Sequence, residues 1–264
     1  MELGLEKRVA VITGGAAGIG RAAAVEFLKE GAAVAVFGRS EKKIETFLGE
    51  MKEAGYEKAV YAEVFDVRDK NRLKQFAANV QERFGSIDVW INNAGVANDK
   101  PFLDYTEEEW NTIVGINLEA VWNGIRIVSP YMIRQKKGVI INISSYASVI
   151  PSAGGAVYGA TKAAVSSLTR TTEAELAPYG IRVLGIVPGM VNTEISHENI
   201  KQNKEKLIRN ISARRLGEAA DLAKPIVFLA SDAAAYIAGF DVQITGGKFA
   251  VQNTEWAWET KEAP

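Results

Sequence analysis

The chain contains no cysteine, which removes disulfides, thiolate metal ligands and cysteine nucleophiles from its chemistry. A single histidine, His197, leaves little for imidazole-based metal binding; it reads first as a surface residue, with a substrate contact as the alternative. Neither sign of charge dominates: 31 Lys and Arg stand against 32 Asp and Glu, a net charge of −1. That balance provides no footprint for nucleic acid or an anionic membrane, so any anion must be held locally. Long apolar runs are missing as well. No stretch approaches the roughly 18–20 uninterrupted apolar residues of a membrane span, and the opening Met1-Glu2-Leu3-Gly4-Leu5-Glu6 carries acids where a secretory signal would be apolar. The expectation is a soluble, cytoplasmic protein with neither nucleic-acid nor membrane partners.

What is present is a regular alternation. Short β-branched runs (Val9 to Thr13, Ala33 to Phe37, Ala59 to Phe65, Asp88 to Ile91, Gly138 to Ile143, Ile181 to Ile186, Phe240 to Ile244) are separated by amphipathic stretches. These are Arg21 to Lys29, Ile44 to Ala54, Arg72 to Phe84, Glu107 to Gln135, Tyr158 to Leu176 and Ala219 to Ala230. Seven strands alternating with helices predict an α/β fold: a doubly wound three-layer sandwich around a parallel sheet. No linker, repeat or low-complexity segment interrupts the pattern, which favours one domain over residues 1–264. The polar stretch from Met190 to Arg215 reads either as a mobile flap over a site or as a solvated helix pair. The tail from Lys248 to Pro264 carries Trp256 and Trp258, which either dock on a neighbouring subunit or border a site, or belong to a disordered end.

Ligands of such sheets bind beyond the carboxyl ends of the strands, and the informative residues lie there. After the first strand, Thr13-Gly14-Gly15-Ala16-Ala17-Gly18-Ile19-Gly20 is a glycine-rich turn leading into a helix. Glycine permits positive φ and close approach of phosphate oxygens, while the helix start offers unpaired N–H groups and a positive dipole end. After the second strand, where an acid would hold adenosine ribose hydroxyls, the chain has Gly38-Arg39. A guanidinium there can pair with a 2′-phosphate, so NADP is expected over NAD, with Arg39 as a solvated loop residue the alternative. Asp66 ends the third strand and is either an acceptor for an adenine amino group or a cap for the helix beginning near Asp69. Asn92-Asn93-Ala94-Gly95 follows the fourth strand.

Tyr158 and Lys162 stand four residues apart at a helix start, hence on one face. An adjacent ammonium favours phenolate, although bringing a phenol from about 10 to about 7 requires about 4 kcal/mol. Ser145 follows the fifth strand, thirteen residues before the tyrosine, where its hydroxyl can orient a substrate oxygen as charge develops on it. Its neighbour Ser144 is expected to support the turn.

Taken together, Thr13-Gly14-x-x-x-Gly18-x-Gly20, Asn92-Asn93-Ala94-Gly95, Ser145, Tyr158-x-x-x-Lys162 and Pro188-Gly189 resemble the short-chain dehydrogenase/reductase family, in its single-domain branch of about 250 residues, from about residue 5 to 250. The resemblance implies a Rossmann-type fold and a tetrad of Asn117, Ser145, Tyr158 and Lys162, with Asn117 distorting the long helix near Ile113-Val114-Gly115-Ile116. It implies a dinucleotide held by Gly14, Ala17, Gly18, Ile19, Gly20, Arg39, Ser40, Asp66, Val67, Asn93, Ala94 and Gly95, and also by Tyr158, Lys162, Pro188, Gly189, Val191 and Thr193. It further implies hydride exchange between nicotinamide and a ketone or secondary alcohol, no metal, and a homotetramer built on the two long helices. Val149, Ile150, Pro151, Ala153 and Ala156, with Tyr146 beside the serine, read as an apolar cleft, which favours hydrophobic or alicyclic substrates. The competing expectations are an NAD-linked dehydrogenase of a sugar, polyol or 3-oxoacyl substrate, a dinucleotide sensor without turnover, and an epimerase or dehydratase using transient oxidation.

Overall fold

Seven strands form a single sheet in the order β3-β2-β1-β4-β5-β6-β7, every pairing parallel, in a computed structural model that describes residues 2–248 and 250–260. The strands are β1 (Val9–Thr13), β2 (Ala33–Gly38), β3 (Val60–Val64), β4 (Val89–Asn92), β5 (Gly138–Ile143), β6 (Ile181–Pro188) and β7 (Asp241–Ile244). All seven expected strands are present, with ends displaced by one or two residues. The first four residues of β1 are apolar because both of its faces are covered: Ala10 and Ile12 enter one core and Val9 and Val11 the other.

One core is closed by α1 (Gly18–Lys29), α2 (Glu41–Glu53) and, from further along the chain, the helix Ala219–Ala230. The opposite core is closed by α3 (Lys70–Phe84), α5 (Ala120–Gln135) and α6 (Ala156–Leu176). Between α3 and α5 lies α4 (Glu107–Val114), and the remaining helices are α7 (His197–Arg209), α8 (Ala219–Ala230) and α9 (Trp256–Thr260). At the β2–β3 edge, Phe37 stacks on Phe65 with ring centroids 4.1 Å apart and meets Phe76 edge-on at 5.0 Å.

Local chemistry explains several helix starts. Ser40 caps α2, Asp69 caps α3 by accepting from Asn71 N and Arg72 N, and Thr106 and Glu109 cap α4 reciprocally. The stretch Glu107 to Gln135, read from sequence as one helix, is interrupted by a π-helical turn at Gly115–Glu119. Asn117 sits inside that turn, as the resemblance implied. The chain passes from β3 on one side of β1 to β4 on the other, so the strand order reverses between β1 and β4, and a crevice opens beyond their carboxyl ends. Among the described residues no helix is long and apolar enough to cross a membrane.

Candidate active site

A cavity of about 660 Å³ occupies that crevice, running from Arg39 and Ser40 past the glycine turn to Ser145 and Tyr158. Of the residues expected to face a dinucleotide, Gly14, Ala17, Gly18, Ile19, Arg39, Ser40, Val67, Asn93, Ala94, Gly95, Tyr158, Lys162, Pro188, Gly189, Val191 and Thr193 line it. The turn has the form a pyrophosphate needs. Gly14 and Gly18 adopt φ of +65° and +53°, and a Cβ on Gly18 would project to 3.6 Å from Thr193 Cγ2, into the space between turn and flap. Helix α1 starts at Ala17 without a side-chain cap and without an acid in its first turn, leaving its N–H groups to an anion from outside.

Two expected cofactor residues are placed differently. A Cβ on Gly20 would lie 2.5 Å from Asn93 Nδ2, so this glycine serves the packing of helix against β4 and does not line the cavity. Asp66 also lies outside the lining. Its carboxylate accepts from Arg68 N (2.9 Å), Nε (3.1 Å) and Nη2 (2.8 Å), and these bonds with Arg68 hold it below the usual carboxylate range. Nor does it cap α3, a task performed by Asp69.

At the other end, β5 delivers Ser144 and Ser145 and the first turns of α6 deliver Tyr158 and Lys162. Ser145 Oγ accepts from Ala147 N at 3.1 Å, and its hydroxyl and the Tyr158 phenol lie side by side in the cavity wall. Ser144 joins helix to strand, as expected of a turn support: its Oγ donates to Lys162 O at 3.0 Å and meets Ser166 Oγ at 2.9 Å. Lys162 is buried, and Nζ donates to Ile143 O at 2.8 Å and lies 5.8 Å from the Tyr158 ring centroid. Burial pushes the lysine down to about 8. Burial also raises the Tyr158 phenol, opposed by the neighbouring Ser145 hydroxyl. The lowering expected from sequence draws on the ammonium together with the positive charge of an oxidised nicotinamide; in the protein by itself desolvation of the phenol is the largest influence.

Asn117 is fully buried and lies behind the cavity wall. Its Oδ1 accepts from Val96 N and its Nδ2 donates to Val96 O, both at 2.9 Å, so the side chain clamps the strand leaving β4. A Cβ on Gly95 would lie 3.5 Å from both Asn117 Oδ1 and Lys162 Nζ, so the two side chains meet against that glycine. Among the described residues no group of three metal-ligating side chains is present.

The short chain dehydrogenase family profile matches residues 8–204. The chain belongs to the short-chain dehydrogenase family. It is 37% identical over 241 residues to a 3-oxoacyl-[acyl-carrier-protein] reductase of Staphylococcus epidermidis, covering 91% of this chain and 98% of that protein. It is 34% identical over 242 residues to a 3alpha-hydroxysteroid dehydrogenase of Mediterraneibacter gnavus, covering 92% and 97%. The crystal structure of levodione reductase superimposes with a TM-score of 0.89 at 33% identity, covering 94% of this chain and 99% of that one. As a short-chain dehydrogenase the protein is an oxidoreductase working with a nicotinamide dinucleotide.

Several site residues of this short-chain dehydrogenase escape sequence reasoning. Thr13 is a hub: its Oγ1 accepts from Asn93 N (2.9 Å) and Ala94 N (2.8 Å), fixing the loop after β4 against the glycine turn. Lys43, one helical turn into α2, lines the cavity and pairs with Glu194 at the start of the flap. Asp99 and Tyr146 line the substrate end. Thr13 had a signal, its place at the head of the glycine motif, and Tyr146 had one in its place beside the serine; Lys43 and Asp99 depend on which loops meet in space. The expected apolar cleft is also revised: Val149, Ile150, Pro151, Ala153 and Ala156 lie off the cavity, Val149 and Ile150 being 55% and 43% exposed, whereas Ser152 and Gly155 line it. His197 is exposed at the first residue of α7 and outside the lining.

Proposed function

We propose that the protein is an NADP(H)-preferring carbonyl reductase or alcohol dehydrogenase exchanging a hydride with a ketone or secondary alcohol, alicyclic ones included. The observation that carries this reading is the meeting of Ser145 and Tyr158 in the wall at one end of a cavity whose other end is a pyrophosphate-shaped turn, with the Lys162 side chain buried in the same wall. When bound, the reduced cofactor supplies the hydride. Ser145 Oγ positions the substrate oxygen and steadies the charge growing on it. The Tyr158 hydroxyl donates the proton that this oxygen takes up, and receives it back in the oxidation direction. Lys162, titrating near 8, keeps a proton close to the phenol around neutral pH. Asn117 acts behind them by holding Val96 and the π-turn in place.

Preference for NADP is supported by two cations, Arg39 and Lys43, at the end of the cavity beyond Gly38, where the strand end itself carries no carboxylate; Arg39 Nη1 lies 4.0 Å from Asp66 Oδ2, and Lys43 pairs with Glu194. A second reading, reduction of a 3-oxoacyl thioester, draws on the named reductase that the chain is 37% identical to. A turnover screen of ketones, alcohols and a 3-oxoacyl thioester with NADPH and NADH tests both. The Tyr158→Phe variant is expected to lose about 10²–10⁴-fold in turnover while binding cofactor almost normally. Undiminished activity in that variant overturns the assignment.

A further inference from the structure

The substrate end of the cavity carries a carboxylate that hydride and proton transfer do not use. Asp99 lies in the loop after β4 and lines the cavity together with Ser145, Tyr146 and Tyr158. Burial is the main cause that raises both phenols, and the Asp99 charge adds to it in each, so the carboxylate lies within electrostatic range of both.

Its position is built by the surrounding loops. Lys100 N donates to Gly154 O at 3.0 Å, and the Tyr105 hydroxyl reaches the carbonyls of Asn98 and Gly154, the latter at 2.9 Å. Asn98 Nδ2 and Lys100 Nζ both bind Glu109 Oε1, at 3.0 and 2.7 Å. These bonds tie the residues on either side of Asp99 to α4 and to the turn before α6. A Cβ on Gly155 would lie 3.4 Å from Asp99 Oδ1, so a side chain there would crowd the carboxylate. Lys100 is committed to Glu109, and among the described residues no hydrogen bond or ion pair engages Asp99 itself. The nearby cation Lys248 is buried against Tyr146, 4.9 Å from its ring centroid, and lies outside the cavity lining.

We propose that Asp99 determines substrate choice by accepting a hydrogen bond from a hydroxyl carried elsewhere on the substrate, so that the enzyme favours neutral hydroxy-ketones and the corresponding diols over plain ketones and over keto acids. This rests on the reductase reading above. A hydrogen bond to a charged acceptor separates a hydroxylated substrate from its deoxy analogue by about tenfold or more. The same charge repels a substrate carboxylate, so one residue selects for the first class and against the last.

The test compares kcat/KM for cyclohexanone, the three positional isomers of hydroxycyclohexanone, and 4-oxocyclohexanecarboxylate, in the wild type, Asp99→Asn and Asp99→Leu. At least one hydroxy-ketone is expected to exceed cyclohexanone by about tenfold in the wild type, with that ratio collapsing toward unity in Asp99→Leu. Asp99→Asn, which keeps the shape and removes the charge, is expected to raise the carboxylate-to-cyclohexanone ratio by about tenfold. Turnover of the panel with both ratios unchanged in the variants overturns the Asp99 assignment and leaves the reductase reading standing. Absence of wild-type turnover on every ketone sinks the reductase reading, and this proposal with it.

Discussion

Lys162 is charged in water and buried here, and its shift from 10.5 to about 8 has a defined sign for stability. The unfolded chain binds a proton between these values and the folded chain does not, so folding stability rises with pH across that interval. Below pH 8 both states are protonated and the full penalty, about 3 kcal/mol, is present. The difference in unfolding free energy between wild type and Lys162→Met is therefore expected to move in favour of wild type between about pH 8 and 10.5, measured by urea denaturation without cofactor. A flat difference would mean that the ammonium is solvated. At the opposite end of the cavity, Arg39→Ala is expected to lower the NADPH-to-NADH ratio of kcat/KM by about tenfold, and Lys43→Ala by less, because Lys43 is held in a close pair with Glu194 whereas the Arg39–Asp66 pair is looser, at 4.0 Å. Legibility at this scale follows locality. Tyr158, Lys162 and Ser145 were readable because a helical turn and a strand end fix their spacing. The direction of the phenol's shift was not, since it depends on how deeply α6 seats against β5.

The flap is fastened at both ends. At its start Glu194 pairs with Lys43 of α2. Beyond α7, Thr254 Oγ1 donates to Arg209 O and Trp258 Nε1 donates to Ser212 O, each at 3.0 Å, while the Arg214 guanidinium lies 5.8 Å over the Trp258 ring. The tail thus docks on its own chain's flap, an outcome distinct from the neighbouring-subunit contact considered from sequence. The two fastenings differ in strength. An exposed ion pair contributes about 0.2–1 kcal/mol, whereas the indole contributes a hydrogen bond together with apolar area. Trp258→Ala is accordingly expected to raise KM for both cofactor and ketone several-fold, with Glu194→Gln changing them less than about threefold; steady-state kinetics of the two variants checks the order. Strands and helices were legible because each carries its own period, and several helices their own cap, Ser40 and Asp69 among them. The flap's fastenings were not, because residues such as Lys43 and Glu194 lie 151 positions apart in the chain.

Across the whole molecule, the reversal of strand order between β1 and β4 puts the cavity at one end of the sheet. The flank formed by α4, α5 and the loop before them is left carrying Phe102, Leu103, Trp110 and Trp122, all exposed. Exposed apolar groups of this size are candidates for an association surface. Trp122→Glu is expected to lower the mass measured by light scattering, and an unchanged mass would place assembly elsewhere. The π-turn at Gly115–Glu119 also bears on this surface. On an uninterrupted helix, Trp110 and Trp122 would be separated by about 120° around the axis, at about 100° per residue. One inserted residue takes back about 100° and brings the two indoles to within about 20° of a common meridian. The insertion that turns Asn117 inward therefore also sets the azimuth of the outer surface: straightening this helix by deleting one residue would leave the two tryptophans eleven residues apart and still within about 20° of each other, while removing the turn that places the asparagine.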